Sequence, residues 1–223
     1  MKPLSRRQIA WRAAQDVADG SYVNLGIGLP TLVSDFIPPG REIVFHSENG
    51  ILGVGPAPPK GQEDRDLINA TKQPITLLPG GCFFTHSDSF AMIRGGHLDL
   101  ALLGAFEVSE RGDLANWTTE DPEWPPGVGG AMDLAAGAGE VRVLMEHTTK
   151  EVTPRLRRRC TYPLTAAHVV RRVYTNLAVI DVTEEGLLVR EMVPGMTIVA
   201  LQAVTEPTLR LADDWRVLEA PKV

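Results

Sequence analysis

The chain has 223 residues, 43% of them apolar and 22% charged, and carries a formal net charge of −6. That length suits one large domain or two small ones with an ample core, and the acidic balance speaks against a nucleic-acid partner. No run of about 18 apolar residues occurs, so no membrane span is expected, and two isolated cysteines, Cys82 and Cys160, leave a reduced, cytoplasmic protein as the expectation.

In chain order, residues 4–19 predict a helix with a weak apolar stripe (Ile9, Ala13, Val17, Ala18) stopped by Gly20. Nothing in this opening stretch reads as a secretory leader. Tyr22 to Leu25 predict a strand that runs into a tight glycine turn, GIGLP (26–30). Thr31 is a candidate cap for a short helix through Phe36, ended by Pro38-Pro39-Gly40. Glu42 to Phe45 predict the next strand, followed at once by the polar segment HSENG (46–50). Residues 53–66 are too rich in proline, glycine and charge to be regular.

Further strands are expected at 75–78, 98–104, 141–145 and 177–182, and helices at 87–94, 131–137 and 165–173, the last capped by Thr165. Residues 107–130 predict a long loop of functional or interfacial use. After Pro194 a helix at 197–204 and an irregular end are expected. Strands apolar on both faces, alternating with helices, imply an α/β protein whose mostly parallel sheet is covered by helices.

Several chemistries find little support. GIG at 26–28 is half of a dinucleotide fingerprint, but Thr31 replaces the third glycine and Pro30 interrupts the helix start. The five histidines are scattered and form no metal-ligand spacing, so no metal is expected. GxSxG is absent, and Cys82 beside an apolar strand reads as packing. Arg155–Arg159 read as solvated surface, and Asp99, on an apolar strand, needs Arg94 or a backbone N–H to satisfy it. Arg94 before Gly95-Gly96 reads as a helix end. Asn116 and Trp117 either shape a cavity or lock their loop, with packing the favoured role for Trp117. Glu48 is open to two readings: a surface turn residue, or a positioned and desolvated carboxylate nucleophile.

A resemblance bears on that choice. FHSENGILG (45–53) is similar to the segment around the catalytic glutamate of class I CoA-transferases. YVNLGIGLPTLV (22–33), DLINATKQPITLLPGG (66–81), residues 89–117, GVGGAMDLAAGA (127–138), CTYPLT (160–165) and TNLAVIDV (175–182) resemble B subunits of 3-oxoacid CoA-transferases. The likeness covers roughly residues 5 to 200 in colinear order. It implies a single domain over 1–223, with a less certain C-terminal extension from about 200. The implied fold is a three-layer α/β/α arrangement with a mostly parallel sheet, of the CoA-transferase and ribose-5-phosphate isomerase type.

The same resemblance implies Glu48 as nucleophile, with Ser47, Asn49 and Gly50 fixing its loop and possible hydrogen-bond donors to it. It implies Gly129 and Gly130 at the oxyanion site, Gly26 and Gly28 in a close-approach turn, and Lys72 near coenzyme A. No tightly bound cofactor is implied; a coenzyme A thioester is substrate and covalent intermediate. The implied partner is a separate A subunit, assembled as (AB)2, with succinyl-CoA and a 3-oxo acid as substrates. GPAPPKGQEDRDLINA, PGGCFFTHSDSFAM, CTYPLT and VREMVPG lean towards 3-oxoadipate over acetoacetate as acceptor. Thr71 and Thr85-His86-Ser87 depart from the usual pattern and bear on substrate choice. An acyl-CoA hydrolase, sharing the glutamate but admitting water, is a less favoured alternative.

Overall fold

The computed structural model describes residues 2–120, 123 and 127–222. The first helix, α1 (Arg6–Ala14), is opened by a reciprocal capping box: Ser5 Oγ accepts from the Gln8 N–H, and Gln8 Oε1 from the Ser5 N–H. It is shorter than the predicted 4–19. Strand β1 (Tyr22–Leu25) is followed by a 3-10 helix, Leu29–Phe36, which starts after Gly28 rather than at Thr31. Thr31 does not cap it; its hydroxyl donates back to the Gly28 carbonyl. β2 (Val44–Ser47) and β3 (Ile51–Val54) form a hairpin, so HSENG is a strand end and a turn.

β4 (Leu77–Phe83) incorporates Pro79-Gly80-Gly81, expected to lie after the strand. It tolerates them because it is the sheet edge, where a missing N–H costs no ladder bond. α2 (His86–Arg94) has its own capping box, from Thr85 and Asp88. β5 (Leu100–Leu103) is buried throughout. Within the expected 107–130 loop lie two short strands, β6 (Glu107–Ser109) and β7 (Leu114–Ala115); residues 121, 122 and 124–126 of that stretch fall outside the described residues. α3 (Ala131–Gly137), β8 (Glu140–Leu144) and β9 (Leu156–Arg157) follow.

The expected helix at 165–173 is wrong. Those residues form a bend and β10 (Val170–Tyr174), laid parallel to β8 with Val173 opposite Val143. Val170, Val173 and Tyr174 are all buried, and β-branched side chains favour that pleated setting. Thr165 caps nothing; its hydroxyl donates to Asn116 Oδ1 at 2.6 Å. β11 (Ala178–Thr183) and β12 (Gly186–Met192) form an antiparallel pair. α4 (Ile198–Gln202), capped by Thr197, leads to β13 (Leu209–Val217), where an irregular end was expected.

The main sheet has ten strands in the order β13-β12-β11-β10-β8-β5-β1-β2-β3-β4. Its centre, from β10 to β2, is parallel, whereas β3-β4 and β11-β12 join it antiparallel. The sheet is therefore mixed: its buried middle is parallel, and the edge strand β13 adds one more parallel pairing, with β12. α1 packs with the 3-10 helix against this centre, and α2 packs with α3, which also touches β5. A continuously buried β5 is what helices on both faces require, and gives the three-layer α/β/α fold.

Candidate active site

Glu48 sits at the tip of the β2–β3 hairpin. The turn is closed by the Gly50 N–H donating to the Ser47 carbonyl at 3.0 Å. Gly50 has φ +109°, and a Cβ there would run into the Phe84 carbonyl. Only glycine fits both demands. The Gly50 carbonyl in turn accepts from the Phe84 N–H at 3.0 Å, which ties the turn to the segment leading into α2.

The neighbours of Glu48 point to other tasks. Ser47 Oγ accepts from the Ala70 N–H at 3.0 Å, and Asn49 Nδ2 donates to the Ile68 carbonyl at 2.8 Å. Both residues pin the 66–76 segment to the hairpin, and their hydrogen bonds go there rather than to the Glu48 carboxylate.

Glu48 faces a cleft of about 620 Å³ lined also by His86, Ser87, Phe90, Arg94, Gly129 and Gly130. A Cβ on Gly130 would lie 3.0 Å from Phe90 Cζ and 3.7 Å from Glu48 Cδ, so backbone and carboxyl approach closely. The structure thus brings Gly129 and Gly130 to Glu48 across some eighty residues of chain. Gly26, Gly28 and Lys72 lie elsewhere. Gly26 lets β1 approach β5, its N–H bonding the Leu102 carbonyl at 2.7 Å, and Gly28 (φ +90°) starts the 3-10 helix. Lys72 is exposed in the 66–76 segment, between Thr71 and Gln73.

Burial pushes the Glu48 carboxyl up from the ordinary glutamate value, while the Asn24 amide and the His86 charge pull it down; burial wins. A carboxylate in that state is poorly solvated and correspondingly reactive.

Beneath the hairpin lies a polar chain that sequence reasoning missed. Asn24 on β1, directly opposite His46 on β2, donates through Nδ2 towards the His46 carbonyl (3.3 Å) and Nδ1 (3.1 Å). His46 Nδ1 is therefore the acceptor, and its Nε2–H donates to Ser89 Oγ on α2 at 3.0 Å. Burial depresses His46 to about 4, so the ring is neutral; it stacks on Phe84 at 5.9 Å. Asn24 Oδ1 is buried without a hydrogen-bond partner among the described residues. A polar asparagine in the middle of a short strand was the available signal.

The α2 face of the cleft was also under-read. Arg94 is not simply a helix-end cation: its Nε bonds Asp133 Oδ1 on α3 at 2.6 Å. Asp99 is satisfied by the Tyr22 N–H at 2.8 Å, one of the two partners considered. Asn116 bonds Thr165 and the Gly104 carbonyl, and Trp117 Nε1 donates to the Leu164 carbonyl, so this pair locks its loop. Among the described residues no cluster of three or more His, Cys, Asp or Glu is placed to hold a metal, and no helix is long and apolar enough to cross a membrane.

The chain belongs to the coenzyme A transferase family, whose sequence model matches residues 6–203. It is 54% identical over 206 residues to the B subunit of the 3-oxoadipate CoA-transferase of Acinetobacter baylyi, a match covering 92% of this chain and 95% of that one. It is 47% identical over 217 residues to the human mitochondrial succinyl-CoA:3-ketoacid coenzyme A transferase 2, covering 96% of this chain and 42% of that one. The fold is similar to that of the acyl-CoA transferase YdiF of Escherichia coli O157:H7, with TM-score 0.74 at 16% identity over 97% of this chain and 43% of the other. Glutaconate coenzyme A-transferase of Acidaminococcus fermentans gives TM-score 0.71 at 17% identity over 98% and 90%.

Proposed function

We propose that this chain, as one domain, is the glutamate-bearing B subunit of a 3-oxoacid CoA-transferase that moves coenzyme A from succinyl-CoA to a 3-oxo acid, 3-oxoadipate foremost. The observation that carries the reading is Glu48 itself: a carboxyl pushed up by burial, at a hairpin tip, against the backbone of Gly130. The chemistry follows from that placement.

The Glu48 carboxylate attacks the thioester carbonyl of succinyl-CoA, the C–S bond breaks, and a glutamyl–succinyl anhydride and CoA thiolate result. The thiolate attacks the glutamyl carbonyl, succinate leaves, and a glutamyl-CoA thioester remains. The 3-oxo acid carboxylate then attacks this thioester, expels the thiolate and forms a second anhydride. Attack of the thiolate on the 3-oxoacyl carbonyl gives the new thioester and frees the Glu48 carboxylate. No proton is transferred in any step, so no general acid is required. Each tetrahedral intermediate carries an oxyanion, and we assign its N–H donors to the Gly129–Gly130 backbone, which lies beside Glu48.

Coenzyme A is long, and its remote parts supply binding energy for the chemical steps. Lys72 is the exposed cation of the 66–76 segment, whose Thr71 and Gln73 line a separate groove of about 430 Å³ on the Ser47 side of the hairpin. A separate A subunit completes the site, in an (AB)2 assembly located in the cytoplasm. The Acinetobacter relative is itself one subunit of its enzyme, and this chain matches only 42% of the longer human relative; both support a partner. Acetoacetate is the competing acceptor, supported by the 3-ketoacid transferase relatives.

The test is to co-express the chain with its A subunit, incubate with succinyl-CoA alone, and digest for mass spectrometry. A coenzyme A adduct on the Glu48 peptide, removed by added 3-oxo acid and absent in Glu48→Ala, supports the reading. Full transfer activity in Glu48→Ala overturns it.

A further inference from the structure

We propose that His86, with the Ser87 hydroxyl beside it, forms the subsite that holds the distal carboxylate of a dicarboxylic acyl group in the Glu48 cleft, and so selects six-carbon 3-oxo diacids over acetoacetate. The inference rests on the reading of Glu48 given above and adds the residue that chooses the acceptor.

The argument starts from charge. A 3-oxo diacid brings two carboxylates to the cleft: one attacks the glutamyl thioester, and the other meets the cleft wall where His86 and Ser87 stand exposed. Two basic side chains line this cleft, His86 and Arg94. Arg94 spends its Nε on Asp133 at 2.6 Å, which offsets its charge, whereas the His86 ring faces no such carboxylate partner among the described residues. His86 has no ion-pair or hydrogen-bond partner for its ring among the described residues; its contact is with the Phe90 ring, centroids 4.6 Å apart and 36° from coplanar. Phe90 is in turn wedged against Gly130. The imidazole thus leans on Phe90 at the first turn of α2, exposed to the cleft, with its nitrogens uncommitted and open to a carboxylate.

The timing fits as well. Free Glu48 is an anion sharing the cleft with His86. In the second half-reaction Glu48 is a thioester and carries no charge. His86 then has no competing anion on the hairpin and is available to the incoming acceptor. With the reacting carboxyl carbon at Glu48, the far carboxylate of an extended six-carbon diacid lies about 6 Å away, within a cleft of about 620 Å³. Acetoacetate ends in a methyl group and has nothing to offer His86.

The test measures kcat/KM for acceptor in the assembled A–B complex, with 3-oxoadipate and with acetoacetate. In a ping-pong scheme this quantity reports only the second half-reaction, so effects on the succinyl donor do not enter. His86→Ala is expected to lower kcat/KM for 3-oxoadipate by about ten- to a hundredfold, the worth of one charge-assisted hydrogen bond, and to leave acetoacetate within about threefold. His86→Lys, which puts another N–H donor to a carboxylate in its place, is expected to recover much of the 3-oxoadipate activity. Equal losses for both acceptors, or no loss for either, overturn the proposal.

If the wild-type complex transfers to neither acceptor, the Glu48 reading fails, and the subsite is judged by binding alone. Wild type is then expected to bind adipate more tightly than hexanoate, with the preference lost in His86→Ala. An unchanged preference in the variant overturns the subsite.

Discussion

Two groups of buried and half-buried carboxylates in this molecule have opposite fates. On one face of the β10–β13 region, Asp16, Asp181 and Glu191 sit in a lattice of arginines. Arg12 grips Glu191 through two hydrogen bonds, of 2.7 and 2.8 Å, and reaches Asp16 at 2.8 Å. Arg172 bridges Asp16 and Asp181, Tyr174 donates to Asp16, and Arg190 and Arg216 add further pairs. Burial alone would raise all three acids, but their arginine partners outweigh it and hold them below the ordinary carboxylate range. In the cleft, Glu48 has the same chemistry and no arginine in salt-bridge contact, and burial carries it upward. The arginine-paired carboxylates are structural elements; Glu48, without an arginine partner, is the proposed reagent. The difference lies in the neighbours rather than in the residue type.

The largest test of that contrast is Glu48→Gln. It keeps the shape and removes the proposed nucleophile, so transfer is expected to fall by about a thousandfold or more. Because ionisation of Glu48 is disfavoured by the fold, the melting temperature at neutral pH is expected to hold or rise. A clear loss of stability would place Glu48 with the structural acids after all.

Next comes Arg12→Ala, which strips Glu191 and Asp16 of a buried partner. It is expected to cost about 3–5 kcal/mol by denaturant titration, with turnover per folded molecule retained. The double variant Arg12→Met with Glu191→Leu removes both charges and is expected to recover most of that stability. Failure of the double variant to recover would show that packing, not the orphaned charge, dominates.

The two sets of acids also respond oppositely to pH. Asp16, Asp181 and Glu191 have depressed folded pKa values, so their stabilisation is present at neutral pH and is lost as pH falls through the carboxylate range and below. Buried His46 and His147, both held to about 4, start the decline earlier: the unfolded chain takes up their protons as pH drops below about 6.5. Glu48 has the reverse sign, since its raised pKa makes protonation in the fold easier. Activity in the first half-reaction needs the carboxylate. The acid limb of kcat/KM for succinyl-CoA is therefore expected at higher pH than an ordinary glutamate would give. An acid limb in the usual carboxylate range would contradict the burial argument.

The smallest effect is expected at Ser89. Ser89→Ala leaves the His46 Nε2–H without its partner and is expected to cost about 1–2 kcal/mol. Since His46 lies two residues before Glu48, a modest drop in kcat should accompany it. Unchanged stability and kcat would mean that the Asn24–His46–Ser89 chain does not hold the hairpin.

Much of this molecule was legible from local pattern. β1 was located at its observed bounds, β5, β8 and β11 within a few residues, and α2 and α3 almost to the residue, because apolar runs and caps are near-neighbour properties. Glu48 was singled out by the resemblance of its segment to a known family, since local pattern alone left it open to a turn reading. Other features lay beyond local pattern. Residues 165–173 have apolar positions that suit a helix as well as a strand, and became part of β10 because β8 offered a parallel edge. β13 exists because β12 presents an edge for it. Asn24, His46 and Ser89 are separated by 22 and 43 positions and meet only through the β1–β2 register and the packing of α2. The neighbours that depress Asp16 and those that leave Glu48 raised likewise come from strands and helices far apart in the chain. Local sequence sets which segments are extended or helical, since those preferences act over a few residues. Which charges end up paired depends on long-range strand order, which is settled when the whole sheet assembles.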